Sequence, residues 1–193
     1  MGMIVCLLAI LFSGYVFASG NVIKLGVNTG GQLFIITPSG TTNFGVTSTL
    51  ALSYDYSFLI SDNITAGAGL EYPTTIQDTD GSKYTFFPVY GLITTQIPSS
   101  DNITPYLTVR VGFNTFSGPS DLIPGYSGLV TASYGGGLYY GLGGGIVFAK
   151  NFRVETLYSV SNGKIIATEH IYGSSTDNTV KFSKISLFVG YSF

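Results

Sequence analysis

Charge is scarce in this chain: Asp, Glu, Lys and Arg make up 9% of its 193 residues, against roughly 25% in soluble domains. Tryptophan is absent, histidine occurs once and the single cysteine is Cys6. One thiol cannot build a disulfide framework or a thiolate metal site, and one histidine cannot build a multi-histidine site. No basic run exists, and 8 Lys and Arg against 10 Asp and Glu leave a net charge of −2, so nothing points to nucleic acid. After residue 20 no apolar stretch reaches the roughly 18 residues that a membrane helix needs. What is present instead is 26 Gly, 14 Tyr and 14 Phe, in a chain of mean hydropathy +0.39. An apolar, Gly- and Tyr-rich chain without a spanning helix has one remaining way through lipid, a closed β-barrel. Its length suits one domain.

Residues 3–12, Met-Ile-Val-Cys-Leu-Leu-Ala-Ile-Leu-Phe, form a compact apolar core, and Val16-Phe17-Ala18 puts modest or small residues at −3 and −1. This predicts a secretory signal peptide over 1–18, cleaved after Ala18 with loss of Cys6, and a mature barrel over 19–193. No Lys or Arg precedes the apolar core; a true start upstream of Met1 would account for that. Met3-Ile4-Val5 is a poor lipoprotein box for Cys6. An N-terminal membrane anchor is the alternative, though the segment is short and lacks flanking charge.

Period-two alternation is the main signal. Over 44–58 the even positions Phe44, Val46, Ser48, Leu50, Leu52, Tyr54, Tyr56 and Phe58 oppose Gly45, Thr47, Thr49, Ala51, Ser53, Asp55 and Ser57. Fifteen alternating residues exceed the 9–11 or so of a tilted membrane strand. The pattern recurs over 64–72, 106–114, 134–148, 152–161 and 181–193. It is less clean over 22–36, where Gly30-Gly31 suggests a bulge, and over 84–97, where neither face stands out. Ser61-Asp62-Asn63, Ser99-Ser100-Asp101-Asn102 and Ala149-Lys150-Asn151 read as tight turns. Longer polar loops are expected over 73–83, 117–133 and 164–178, with a shorter one over 38–43. Short and long links alternate, as periplasmic turns and external loops do in outer-membrane barrels. The prediction is an all-β, up-and-down antiparallel transmembrane β-barrel of about eight strands, with both ends on the periplasmic side. Aromatics near strand ends, Tyr54, Tyr56, Phe58, Tyr72, Phe148, Phe152, Tyr191 and Phe193, fit interfacial girdles; the alternative is the core of a soluble β protein.

At the C-terminus Leu187, Val189, Tyr191 and Phe193 alternate. This resembles the assembly signature of Gram-negative outer-membrane proteins, and implies recognition by the barrel assembly machinery. The run from Gly141 to Ser159, Gly-Leu-Gly-Gly-Gly-Ile-Val-Phe-Ala-Lys-Asn-Phe-Arg-Val-Glu-Thr-Leu-Tyr-Ser, is similar to the penultimate hairpin of the small OmpA/OmpX/Opa-like barrel superfamily. Members serve as adhesins, envelope-stabilising proteins, narrow pores and, rarely, lipid A-modifying enzymes. No OmpA-type peptidoglycan-binding domain is expected to follow.

The alternation turns Asp55, Glu71, Arg110, Arg153, Glu155 and Lys184 inward, with Lys24 beside them in a strand of poorer pattern. An eight-strand barrel is just wide enough for its side chains to fill, so these charges are expected to pair as a salt-bridged plug; a narrow polar pathway lined by the same residues is the rival. Inward glycines over 135–145 leave room for large neighbours or for water, and their spacing fits no nucleotide loop. Asn63-Ile-Thr and Asn102-Ile-Thr match glycosylation acceptors but read as turns in a bacterial barrel. Lipid A deacylase barrels carry His-x-Ser-Asn; here Ser159-Val160-Ser161-Asn162 puts serine where the histidine should be, and a serine without its base is a poor nucleophile. The lone His170, in a loop, would have to substitute.

The expectation is therefore a non-enzymatic integral outer-membrane protein, a monomer, structural or adhesin-like through its external loops. A small porin-like channel is the alternative, and a lipid A-modifying enzyme a remote one. No catalytic, metal or cofactor site is expected. Expected partners are outer-membrane lipid and lipopolysaccharide, the assembly machinery, and host or surface ligands at the loops.

Overall fold

The computed structural model describes residues 19–72, 74–77, 83–99, 102–120, 130–170 and 173–193; the expected leader, 1–18, lies outside them. Ten strands follow one another: β1 (Ser19–Thr37), β2 (Gly40–Val46), β3 (Thr49–Ser61), β4 (Ile64–Glu71), β5 (Thr74–Gln77), β6 (Lys83–Gln96), β7 (Ile103–Ser117), β8 (Val130–Phe148), β9 (Phe152–Glu169) and β10 (Ser174–Ser192). Round the sheet the order is β10-β9-β8-β7-β6-β4-β3-β1, all antiparallel, and β1 pairs back onto β10. The chain is an all-β closed barrel. Its ring has eight members, as expected; the count of ten arises because β2 pairs with β1 beyond the end of β3, and β5 with β6 beyond the end of β4.

Closure joins the two ends of the chain. Val22 faces Ser192 in the β1–β10 register. Asn21 N donates to the Phe193 carbonyl at 3.0 Å, and Phe193 N to the Asn21 carbonyl at 2.9 Å. The tight links share this end: the β8–β9 turn bonds to the terminus through Ser192 N to the Asn151 carbonyl at 2.8 Å, and Gln96 N reaches the Asn63 carbonyl at 2.8 Å.

Outside, an apolar belt surrounds the barrel. Leu25, Leu50, Leu107, Val111, Phe113, Leu142 and Val189 are all exposed, Leu50 at 79% and Phe113 at 73%. A ring of exposed aliphatics is a surface for lipid and not for water, which removes the soluble-core alternative. Tyr54, Phe58, Tyr72, Phe152, Tyr191 and Phe193 are exposed with it, and Phe152 packs on Phe148 and Tyr191 at 5.7 and 5.3 Å.

The alternation over 44–58 is not one strand. Phe44 and Val46 turn inward onto buried apolar residues, whereas Leu50 and Leu52 are exposed and Ala51, Ser53, Asp55 and Ser57 buried. The phase slips at Thr47–Ser48, where the strand breaks. Similar slips occur between buried Glu71 and buried Thr74, at Gly136–Tyr139, and at Gly30-Gly31, where the β1–β10 register shifts between Thr29 and Gln32. Gly30 supplies a φ of 61° there. Over 84–97 the even positions face inward: Tyr84, Phe86, Tyr90, Leu92 and Thr94 are buried, while Val89 and Ile93 are exposed.

The external links are shorter than expected. The predicted loop 38–43 is the turn Pro38–Ser39, with Thr41–Asn43 paired in β2. The predicted loop 164–178 is mostly ladder, from Lys164↔Thr179 to Glu169↔Ser174. Of 73–83, residues 74–77 pair with 83–86 and 78–82 lie outside the described residues, as do 121–129 of the predicted loop 117–133. Polar Ser, Thr and Asn side chains read as loop in sequence, yet outside lipid a strand tolerates them on both faces.

Two backbone positions test these assignments with opposite signs. Gly30→Val should cost about 1–2 kcal/mol, because a β-branched residue at positive φ clashes with its own carbonyl. In the β8–β9 turn Ala149 and Lys150 have φ of 47° and 69°, so Lys150→Gly should stabilise by about 0.5–1 kcal/mol. Urea unfolding of the purified protein in detergent micelles reads both.

Candidate functional site in the barrel interior

Closure brings four charged residues from four strands to one point. Lys24 of β1 places Nζ 2.7 Å from Asp55 Oδ2 of β3 and 2.7 Å from Glu155 Oε2 of β9. Arg110 of β7 pairs with Glu155 Oε1 and stands 3.7 Å from Asp55 Oδ2. All four are buried, Arg110 completely. Tyrosines complete the group. Tyr90 donates to Asp55 Oδ1 at 2.8 Å and accepts from Arg110 Nη1 at 3.1 Å, and Tyr106 donates to Glu155 Oε2 at 3.0 Å. The guanidinium also lies 4.9 Å from the Tyr90 ring centre, a cation–π contact strengthened by the burial of both side chains.

A second ionic group lies beside the first. Lys184 of β10 pairs with Glu71 of β4 and donates to Thr74 Oγ1 at 3.1 Å. Asn28 donates to Thr74 and Thr49 and accepts from Ser186 at 2.7 Å. Three cations (Lys24, Arg110, Lys184) face three anions (Asp55, Glu71, Glu155), so these groups are neutral as a set.

Beyond the phase slips the interior becomes apolar. Leu33, Ile76, Tyr84, Phe86, Phe116, Ile165, Val180 and Phe182 form one buried cluster. Phe86 stacks between Phe116 at 4.5 Å and Phe182 at 5.4 Å. This aromatic layer, the lid, lies inside the barrel toward the end remote from the chain termini.

Of the six charges read as inward from the sequence, five, Asp55, Glu71, Arg110, Glu155 and Lys184, stand in the two ionic groups, and Lys24 bridges two carboxylates. Arg153 is not among these ion pairs: near the terminal mouth its Nε donates to Ser192 Oγ at 2.8 Å, and its guanidinium lies 5.7 Å from the Tyr106 ring centre. Leu187, Val189, Tyr191 and Phe193 are exposed on the outer face of the closing strand and beyond its end. Ser159 and Ser161 are buried in the interior, and Asn162 donates to the Leu138 carbonyl at 2.9 Å. His170 is exposed, 3.0 Å from Thr131 Oγ1. It stands just beyond β9, nine positions on from Ser161, about 30 Å of extended chain, so the fold does not assemble a histidine–serine pair from them. Tyr90, Tyr106 and the aromatic lid were not singled out in the sequence. For Tyr84, Phe86 and Tyr90 the signal, apolar residues on both faces of 84–97, reads there as ambiguity.

No protein-family model and no curated protein sequence matches the chain. Solved structures do. Outer membrane protein OprG from Pseudomonas aeruginosa is similar at a TM-score of 0.57 and 13% identity, over 92% of this chain and 97% of that one. Ail, the attachment invasion locus protein of Yersinia pestis, is similar at 0.54 and 14%, over 91% and 99%. Neisserial surface protein A follows at 0.51 and 10%, over 90% and 97%.

The two arginines provide a contrast. Arg110→Ala removes one partner of a buried charge group and should cost about 3–5 kcal/mol. Arg153→Ala removes a hydrogen bond at the mouth and should cost about 1 kcal/mol. Equal losses on urea unfolding would contradict the placement of the two side chains. Ring, belt and filled interior together give this chain the fold of the small outer-membrane β-barrels.

Proposed function

We propose that this outer-membrane barrel is a closed, non-enzymatic scaffold with a structural or surface-interaction role through its external rim. The carrying observation is that the interior is filled at two successive levels. The four-residue ionic group occupies the half nearer the termini, and the stack of Phe86, Phe116 and Phe182 occupies the other. Charged groups held in mutual pairs, followed by an apolar aromatic layer, offer an ion no continuous polar path along the axis. The channel reading loses its support accordingly. The enzyme reading has only Ser161-Asn162 behind it, and Ser161 is buried inside the wall, away from lipid.

What remains available to other molecules is the outer surface. In this reading residues 1–18 are a signal peptide, the belt meets outer-membrane lipid and lipopolysaccharide, the outward C-terminal residues are read by the barrel assembly machinery, and the rim takes a surface ligand. The rim is built largely of paired strands, as in the Lys164–Thr179 hairpin. Such a surface loses little conformational entropy on binding.

Single-channel recording of the purified protein in a planar bilayer tests the proposal. Insertion without discrete conductance steps is expected, and reproducible steps would sink it. The assembly role of the terminus has its own test: Phe193→Asp should lower the amount of heat-modifiable, folded barrel recovered from membranes several-fold, and an unchanged yield would refute that role.

A further inference from the structure

Cations are few in this chain, 8 Lys and Arg in all, yet two of them stand side by side on the outer wall. Ile165, Val180 and Phe182 turn into the barrel, so their chain neighbours Lys164 and Lys181 turn out. Lys164 pairs with Thr179, and Lys181 with Asn162, in the β9–β10 register. The two lysines are therefore diagonal neighbours on one face, roughly 7–8 Å apart. Lys164 is exposed and Lys181 half-buried. Beside them lie Gly135 on β8 and Phe34 on β1, so one flank carries no side chain and the other only an aromatic ring. Among the described residues neither lysine takes part in an ion pair. The nearest carboxylate on this face by register, Asp177 opposite Ile166, stands further out along β10 and pairs with neither.

Height along the wall selects the ligand. Lys181 lies eleven positions from Ser192, and Lys164 twelve from Phe152, the residues at the terminal end of their strands. At about 3.3 Å per residue and a tilt near 40°, both stand roughly 28–30 Å from that end, just past an apolar band about 25 Å tall. Nearer the termini on the same outer face are Ile185, Leu187 and Val189 of β10 and Tyr158 of β9, all exposed. The lysines thus meet lipid headgroups, in the leaflet remote from the short turns, which is the external one. Two ammonium groups held together at the margin of a low-dielectric layer repel each other unless an anion lies between them. A phosphomonoester has the charge and the acceptor oxygens to satisfy both. We propose that Lys164 and Lys181 bind one phosphate of the lipid A moiety of lipopolysaccharide, whose acyl chains then lie along Ile185 and Leu187. This rests on the outer-membrane lipid contact proposed above and supplies the place and chemistry of its anchor.

Urea unfolding of the purified protein in detergent micelles, with and without bisphosphorylated lipid A, tests the site. Lipid A should raise the wild-type midpoint, and lipid A stripped of both phosphates should not. In Lys164→Gln/Lys181→Gln the lipid A concentration needed for the same rise should increase at least tenfold. Each rise is measured from that protein's own lipid-free midpoint, which separates lost binding from altered folding. An equal rise in wild type and double variant overturns the proposal. So does an equal lysine-dependent rise with phosphatidylglycerol or inorganic phosphate, which would make the site one for any phosphate. Loss of the wild-type effect in EDTA overturns it too, since a metal ion bridging phosphate to Asp177 would then carry the binding. Insertion into phosphatidylcholine vesicles reads the lipid contact by itself. A protein that inserts there yet ignores lipid A refutes the lysine site and leaves the membrane reading standing.

Discussion

In hydrocarbon no backbone N–H or C=O can turn to water, and the pairing of β1 with β10 is the contact that leaves none of the ring unpaired. Much of the remaining structure follows from it. A ring of eight staves has an interior only as wide as its own side chains, so closure fixes a volume that must be filled. It also brings residues far apart in the chain, such as Lys24 and Glu155, within 2.7 Å. The ionic group exists only in the closed ring.

Filling that volume with charge carries a desolvation cost of several kcal/mol per ion, which the geometry offsets in two ways. Each carboxylate of the Lys24–Asp55–Arg110–Glu155 group meets two cations. Tyrosine hydroxyls then take up remaining hydrogen-bonding capacity, as Tyr90 does between Arg110 and Asp55. Toward the rim the interior turns apolar, and the chain makes that change by slipping phase. A strand with its apolar residues on the lipid side must exchange faces to put Leu33, Phe44 or Ile76 inside. One extra residue is enough, because the side-chain period is two. The slips at Gly30-Gly31, Thr47–Ser48, Glu71–Thr74 and Gly136–Tyr139 perform this exchange on four of the eight staves.

Architecture was readable from the sequence because alternation over 106–114 or 181–193 states directly which residue faces lipid, and because charge is so rare that each inward Asp, Glu, Lys or Arg identifies itself. Partner choice was not readable. Lys24 and Glu155 are 131 positions apart, and only the register of a closed ring says that they meet. The lid was illegible for a different reason. Phe86 has apolar Phe87 beside it on the opposite face, and Phe116 and Phe182 share the inward parity of polar Asn114 and Lys184, so an apolar-out reading of these strands gives them no place. The break at Thr47–Ser48 was hidden by Ser and Thr, which suit either face and let one pattern run through it.

Strand length bears on what such a barrel can offer outside the membrane. About 9–11 residues of tilted strand cross a bilayer, yet β8, β9 and β10 run for 19, 18 and 19 residues. Close to half of each therefore stands clear of the hydrocarbon, still hydrogen-bonded to its neighbour and, inside, still packed through Ile165, Val180 and Phe182 onto the lid. The lid thereby ties the projecting wall together from within. A wall held in this way presents Thr, Ser, Asn and Asp side chains along β10 at fixed strand spacing, with the ordering entropy already spent in folding and not at the moment of contact.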